Sequence, residues 1–211
     1  MDRFALDIET IPVVDDPDFD DPSHWIPFAV ALGHRGADMT NPDVDVLFRT
    51  ESSIEAEAQL MTDTIDWIAD RSDGRDREIL TYNGESYDIP IIKHRAGEIR
   101  NDEPGANICE RLKLLLDSSV HVDLILEMRE REGHWVSLDD ALCQHSIETD
   151  DPEFMGDKVT GADMPSMGRE LLANRPDGVN DDLRDAVYRY ASSDVAPLFD
   201  LHDQLRAEQL R

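Results

Sequence analysis

The chain has 211 residues, of which 40% are hydrophobic. This length and composition exclude an intrinsically disordered protein and allow one domain with a substantial core. Its formal net charge is −28, from 32 Asp and 16 Glu against 17 Arg and 3 Lys, which excludes the basic footprint of most DNA-binding domains. Dense carboxylates stay hydrated and are screened in concentrated salt. We therefore expect an extremely halophilic source, with an acidic mesophilic protein as the alternative.

Cysteine use and apolar runs predict the cellular compartment. Cys109 and Cys143 have the spacing of neither a disulfide framework nor a metal site, so we expect buried thiols in a reducing compartment. The first strand is predicted so close to the N-terminus that no signal peptide is expected. No apolar run approaches the roughly 20 residues that cross a bilayer. We expect a cytoplasmic protein with no membrane association.

The first half of the chain alternates between strand and helix patterns. Phe4 and Ile8 point to one face of the first predicted strand, and Ala5, Asp7 and Glu9 to the other. The pattern predicts strands at 3–9, 27–32 and 44–49, a helix at 54–69 capped by Ser53, a turn at 72–76, a strand at 78–82 and a helix at 89–98.

The second half is predicted to be mainly helical. The patterns predict a helix at 108–116 after a loop at 101–107, a strand at 120–124, a helix at 125–131, a helix capped by Ser137 up to residue 145, and one long helix from Asp181 or Asp182 to the C-terminus. Residues 146–164 are predicted to be irregular, and the acidic loops at 15–22 and 146–157 to be solvated. This order predicts a single α/β domain over residues 1–211, with a mixed central β-sheet flanked by α-helices.

Two carboxylates stand two residues apart on the first predicted strand. The Asp-x-Glu pattern also occurs at 76–78 and 151–153, where we expect solvated turns. Only Asp7 and Glu9 alternate with apolar residues, which places both carboxylates on one strand face, about 7 Å apart at the backbone. Two like charges there are costly without a cation. Because Mg²⁺ and Mn²⁺ prefer carboxylate oxygens, the pair predicts a metal site.

The segment NGESYD at 83–88 follows a buried strand and begins a helix. As structure alone, it is a strand-to-helix turn in which Gly84 has an unusual backbone conformation and Asp88 caps the helix. The same capping position points a carboxylate into the cleft at the strand ends. Asp88 is therefore also a candidate metal ligand.

Tyr190 and Asp194 are four residues apart in the last predicted helix and so share one helical face. The neighbouring Val187, Ala191 and Val195 predict that this face is largely buried, although an exposed pair is the alternative. Burying a tyrosine hydroxyl beside a buried carboxylate costs free energy, so we expect the pair to do more than fill space in the core. We treat both residues as candidate site residues.

In this order, DIET (7–10), NGESYD (83–88) and YASSD (190–194) resemble the three motifs of the DEDD superfamily of 3′→5′ exonucleases, in its tyrosine-containing branch. The resemblance is closest to the proofreading exonuclease domain of family B DNA polymerases. HVDL (121–124) and SLDDAL (137–142) are similar to segments between the second and third motifs of that group. The other branch has a histidine five residues before the last Asp, and here that residue is Arg189.

The resemblance implies an RNase H-like fold and two divalent cations, Mg²⁺ or Mn²⁺. It implies that Asp7, Glu9 and Asp194 hold one cation and that Asp7 and the substrate phosphate hold the other, with Asp88 acting through water. It also implies that Tyr190 orients the attacking water. By a weaker extension, Thr10 and Asn83 contact the terminal nucleotide.

The expected activity is removal of nucleoside 5′-monophosphates from single-stranded or frayed DNA 3′ ends by two-metal-ion hydrolysis. With 17 residues after Asp194, we expect a stand-alone enzyme without a polymerase domain, whose replication or repair partner is unknown. An exoribonuclease acting on RNA or short oligonucleotides is the first alternative; DNA is favoured because no feature convincingly reads the 2′-hydroxyl. A non-catalytic nucleic-acid-binding or assembly subunit is the second. Trp135 and Tyr87 are expected in the core, with base stacking as their alternative role.

Overall fold

A five-stranded mixed β-sheet forms the centre of the structure, in the order β3-β2-β1-β4-β5. The strands are β1 (Asp2–Pro12), β2 (Trp25–Arg35), β3 (Asp43–Phe48), β4 (Arg77–Thr81) and β5 (Ser119–Asp123). β1 pairs antiparallel with β2 and parallel with β4, and β5 lies parallel to β4. The predicted mixed sheet and its five predicted strands are confirmed.

The computed structural model describes residues 2–72, 76–99, 107–173 and 179–209. Within these ranges the helices are α1 (Ile54–Arg71), α2 (Asp88–Ile99), α3 (Ile108–Asp117), α4 (Leu124–Glu132), α5 (Leu138–Gln144), α6 (Met164–Leu172), α7 (Val179–Val195) and α8 (Leu198–Gln209). A two-stranded hairpin joins β6 (Glu153–Phe154) to β7 (Asp157–Lys158). The predicted turn at 72–76 and loop at 101–107 lie largely outside the described residues.

Helices cover both faces of the sheet because the side chains of β1 alternate. Phe4 and Ile8 belong to a core cluster shared with α1, α2 and α3. Ala5 belongs to a second cluster, which is formed with the helices from α4 to α8. Asp7 and Glu9 alternate with the first set, so they share the face that α7 covers.

Two predicted helix caps are confirmed. The hydroxyl oxygen of Ser53 accepts a hydrogen bond from the backbone N–H of Ala56 at 3.2 Å, at the start of α1. The hydroxyl oxygen of Ser137 accepts one from Asp140 at 3.1 Å, at the start of α5. Each cap satisfies a backbone donor that has no partner within its helix.

The C-terminal part of the chain differs from the prediction. The single long helix is two helices, α7 and α8, because Pro197 lacks an N–H and its ring clashes with the preceding turn. The segment predicted as irregular contains the β6–β7 hairpin, whose turn uses positive φ angles at Met155 and Gly156. Helix α6 was not predicted at all, although Pro165 occupies a first-turn position that suits a helix.

The prediction of two buried thiols is also wrong. Cys143 is exposed and Cys109 is half-buried, and both are free cysteines. Among the described residues, no helix is long and apolar enough to cross a membrane.

Candidate active site

A cluster of three carboxylates lies where β1 meets α7. Asp7, Glu9 and Asp194 each place one carboxylate oxygen within 4.8 Å of the oxygens of the other two. β1 is the central strand of the sheet, and its antiparallel pairing with β2 places Asp7 opposite Ala31 and Glu9 opposite Ala29. The register of β1 against β2 shifts between Glu9 and Thr10, a bulge of the kind that often re-aims side chains beside a functional site.

Helix α7 supplies the third carboxylate and a phenol. Tyr190 and Asp194 lie one turn apart, and the buried side chains of Val187, Ala191 and Val195 hold this face of α7 against the core, as predicted. The Tyr190 hydroxyl interacts with the Asp194 carboxylate. The two side chains therefore reach the cleft together.

Asp88 lies beside this cluster, at the first residue of α2. Its carboxylate Oδ1 accepts a hydrogen bond from the backbone N–H of Ile8 at 3.1 Å. Ile8 stands between Asp7 and Glu9, so this bond joins the second motif directly to the first. The structure thus brings the four predicted carboxylates and Tyr190 close together.

Burial and mutual repulsion raise the pKa values of all four carboxyl groups. Desolvation is the largest cause for each; it raises the pKa of Asp88 and of Asp194 to about 7, and the pKa values of Asp7 and Glu9 well above their usual range. The charges that add to these shifts are all carboxylates. No basic side chain contributes to them among the described residues, so the ionised cluster is costly without a cation.

The donor set fits hard divalent cations. All four side chains offer oxygen atoms, the ligands that Mg²⁺ and Mn²⁺ prefer. Glu9 is buried, and within the described part of the chain its Oε1 atom has no hydrogen-bond partner. A buried carboxylate oxygen without a partner is rare unless it binds an ion or water.

Tyr190 is suited to remain a neutral donor. Burial, and then the negative charge of Asp194, raise the pKa of its phenol well above the usual value. Its hydroxyl therefore keeps its proton at neutral pH. A methyl group added at Gly161 would lie 3.1 Å from this hydroxyl, so the glycine leaves the space beside it open.

A cavity of about 710 Å³ adjoins the carboxylate cluster. It is lined on one side by Glu9 and Thr10 and on the other by the rings of Phe19, Trp25 and Tyr87. The ring centroids of Phe19 and Trp25 are 4.8 Å apart, and those of Trp25 and Tyr87 are 5.6 Å apart. Phe19 is 66% exposed, so its ring is open to a ligand. The acidic loop at 15–22 was predicted only as solvated surface, which missed this residue.

Both predicted substrate contacts line the same cavity. The hydroxyl oxygens of Thr10 and Tyr87 are 2.7 Å apart and share a hydrogen bond. Asn83 lies in the left-handed region with φ of 68°. The prediction assigned the unusual conformation to Gly84. Glycine is required at this position for a different reason, because an added Cβ would lie 2.5 Å from Thr81.

The turn after β4 depends on a residue that the sequence analysis did not single out. Asp123, at the end of β5, accepts hydrogen bonds from the backbone N–H groups of Asn83 at 2.7 Å and Glu85 at 2.8 Å. The HVDL segment contains Asp123, but no local pattern reveals a bond across 40 residues.

Other sequence expectations are corrected away from the cleft. Trp135 is 59% exposed and does not lie in the core. Glu78 is not solvated, because it is buried in β4 and pairs with Arg206 at 2.5 Å. Asp151 and Glu153 are exposed, as expected.

The model of the RNase H superfamily matches residues 6–206 of the chain. This match and the observed sheet confirm the expected RNase H-like α/β fold. A search of curated proteins found no significant match.

Solved structures of exonuclease I are similar at low identity. One matches with 14% identity and a TM-score of 0.46, covering 85% of this chain and 42% of that chain. The apo form matches with 13% identity and a TM-score of 0.48, covering 85% and 43%. E. coli exonuclease I in complex with a 5cy-dA13 oligonucleotide matches with 14% identity and a TM-score of 0.44, covering 85% and 42%. The chain spans less than half of the length of these proteins.

Proposed function

The chain belongs to the RNase H superfamily, and we propose that it is a metal-dependent 3′→5′ exonuclease of the tyrosine-containing DEDD branch. The observation that carries the proposal is the close cluster of Asp7, Glu9 and Asp194, with Asp88 and Tyr190 beside it. Carboxylates placed so closely, without a basic partner among the described residues, suit a site that becomes neutral when cations bind.

In this proposal, Asp7, Glu9 and Asp194 would hold one Mg²⁺ or Mn²⁺. Asp7 and the substrate phosphate would hold the second, with Asp88 acting through water. A divalent cation supplies two effects there: it lowers the pKa of a bound water and stabilises the leaving oxygen of a phosphodiester. The hydrogen bond from Ile8 holds Asp88 at the edge of the cluster. The protein thus fixes the ligand positions in advance, which reduces the reorganisation required during reaction.

Tyr190 orients the attacking water in the proposed reaction. Its raised pKa keeps the phenol protonated, so the hydroxyl acts as a hydrogen-bond donor and acceptor and not as a general base. Asp194 one turn away restrains the hydroxyl. The product is a nucleoside 5′-monophosphate.

The aromatic cavity is the proposed site of the terminal nucleoside. Phe19 offers an exposed ring on which a base can stack, with Trp25 and Tyr87 beside it in the cavity lining, and such stacking tolerates every base. Thr10 and Asn83 offer polar contacts beside Glu9. Because base and sugar must enter a cavity next to buried carboxylates, a single-stranded or frayed 3′ end fits better than a paired end.

The acidic surface limits the substrate affinity that electrostatics can supply. With a net charge of −28, the protein repels phosphate over long range. In molar salt this repulsion is screened, and counterion release contributes little to affinity. We therefore assign affinity to cations and base stacking. We propose a halophilic, cytoplasmic enzyme in which residues 1–211 form one domain, with a role in DNA repair or replication.

Matched DNA and RNA oligonucleotides of one sequence test the proposal. Each is incubated with the protein in molar KCl with Mg²⁺ or Mn²⁺, and products are identified by chromatography, with Asp194→Asn as control. Release of deoxynucleoside 5′-monophosphates by the wild type alone supports the proposal. Faster release from RNA would assign the site to an exoribonuclease. Cation binding without release from either would indicate a non-catalytic subunit.

A further inference from the structure

We infer that Asp123 is a positioning residue that holds the turn at 82–87 in the conformation that presents Asn83 and Tyr87 to the terminal nucleotide. The inference rests on the proposed function and extends it to a residue outside the cleft. Asp123 lines none of the described cavities beside the carboxylates, so its carboxylate does not contact a substrate there. It acts through the turn that it holds and through its charge, which raises the pKa of Asp88.

We call the two hydrogen bonds from the backbone of Asn83 and Glu85 to Asp123 the clamp. Both oxygens of the buried Asp123 carboxylate take part in it. Oδ1 of Asp123 accepts from the N–H of Asn83, and Oδ2 accepts from the N–H of Glu85. Asp123 is 6% exposed, and it is the strand partner of Thr81, the last residue of β4. The bonds therefore join the ends of two neighbouring parallel strands. Charge-assisted hydrogen bonds of this length are stronger than neutral ones.

The turn needs such a clamp because its backbone is strained. Asn83 has a left-handed conformation, which is unfavourable for residues other than glycine, although Asn tolerates it better than most. Gly84 packs so closely on Thr81 that the turn cannot shift toward β4. Asp123 holds the turn from the side of β5 through its bonds to Asn83 and Glu85. The N–H groups that it binds would otherwise point into a partly buried space.

The clamp acts mainly on the nucleotide side of the site. Asn83 and Tyr87 line the aromatic cavity, and the Tyr87 hydroxyl bonds to Thr10. Asp88 has its own anchor, the N–H of Ile8 in β1. The other carboxylates lie on β1 and α7, which the turn does not carry. Loss of the clamp should therefore weaken nucleotide binding more than cation binding.

Asp123→Asn tests this separation. The substitution keeps the size of the side chain but replaces one acceptor oxygen with an NH₂ group, which cannot accept from a backbone N–H. We expect the KM for a DNA oligonucleotide to rise about tenfold while kcat stays within about threefold, the pattern of lost uniform binding. Affinity for thymidine 5′-monophosphate, measured by calorimetry with Mg²⁺, should fall by a similar factor. Affinity for Mn²⁺ alone should change less than the affinity for the nucleotide.

Asp66→Asn is the matched control. It also removes a carboxylate that pairs with another residue, Arg111, but on α1 and away from the described cavities. It should leave KM and thymidine 5′-monophosphate affinity at wild-type values. Amide hydrogen exchange measures the two hydrogen bonds of the clamp without substrate. The backbone amides of Asn83 and Glu85 should exchange faster in Asp123→Asn than in the wild type, and at the wild-type rate in the control.

The outcomes separate the clamp from the proposed function. An active wild type whose nucleotide affinity and KM are unchanged by Asp123→Asn overturns the clamp and leaves the exonuclease. A wild type that neither binds thymidine 5′-monophosphate nor degrades any strand overturns the proposed function, and the clamp's role with it. If Asp123→Asn does not fold, Asp123→Glu keeps the charge but moves both oxygens. Wild-type nucleotide affinity in a folded Asp123→Glu variant would overturn the inference.

Discussion

The Asp88 carboxylate accepts a hydrogen bond of 3.1 Å from the backbone N–H of Ile8, which stands between Asp7 and Glu9. This bond fixes the distance between two sequence motifs that are about 80 residues apart. It also partly offsets the cost of burial, because a hydrogen bond to the charged form lowers the pKa of Asp88. The cluster is held in place by the backbone and not only by the cations that it would bind.

Asp7→Asn should abolish hydrolysis and stabilise the cation-free protein. Asp7 belongs to the carboxylate cluster, and its charge raises the pKa of Tyr190 as well. Removing one of several buried like charges relieves repulsion, while loss of a cation ligand lowers the rate by about 10³-fold or more. Activity assays and melting in EDTA measure both effects. Asp70→Asn, an exposed change on α1, is the control. Full activity of folded Asp7→Asn would refute the metal assignment.

The cation-free protein should lose stability as the pH rises from about 4 to about 7. The pKa values of Asp88 and Asp194 are about 7 in the folded state, above the usual value of 3.8. Between these values the folded state binds more protons than the unfolded state, so the free energy of unfolding falls with rising pH and then levels off.

Denaturation at pH 5.5 and pH 8 in molar KCl measures this dependence. Saturating Mg²⁺ should remove most of the decline, because the cation replaces the protons. The comparison with Asp194→Asn isolates the contribution of the cluster. An equal decline in the variant and the wild type would locate the effect elsewhere on the surface.

Tyr190→Phe should lower kcat without weakening cation binding. The phenol reaches the cleft but offers no carboxylate, and removing its hydroxyl leaves Asp194 in place. Loss of one group that positions a reacting water costs about 10²-fold. Steady-state kinetics and a Mn²⁺ titration by calorimetry separate the two quantities. A wild-type kcat in Tyr190→Phe would show that the tyrosine is a packing residue.

Phe19→Ala should raise the KM for single strands and leave the fold unchanged. The ring is 66% exposed and contacts Trp25 and Tyr87 at the rim of the cavity. Stacking of one base on an aromatic side chain contributes about 1–3 kcal/mol, so we expect about a tenfold effect. Val13→Ala, an exposed apolar change outside the cavity lining, is the control. An effect of the same size in both variants would argue against stacking.

The strands and most helices could be predicted because their signals are local. Alternation on β1 identified the face that carries Asp7 and Glu9, and the hydroxyls of Ser53 and Ser137 identified two helix starts. The break at Pro197 was also visible in the sequence, but the apolar pattern continues through it. Helix α6 is short, and proline and glycine within it conceal its period.

Long-range contacts account for what the sequence left open. The bonds from Asp123 to the turn at 82–87 join residues 38 and 40 positions apart. The exposed ring of Phe19 gains a role only because Trp25 and Tyr87 lie beside it. Strain at Asn83 could not be told from strain at Gly84, since both residues tolerate positive φ and only packing on Thr81 distinguishes them.

The most direct test of the account is a time course on a 5′-labelled single-stranded DNA oligonucleotide in molar KCl. The wild type with Mg²⁺ or Mn²⁺ should produce a ladder that shortens from the 3′ end, and EDTA or Asp194→Asn should abolish it. A folded, cation-loaded wild type that leaves both this strand and its RNA counterpart intact would contradict the account. Internal cleavage, or shortening from the 5′ end, would contradict it as well.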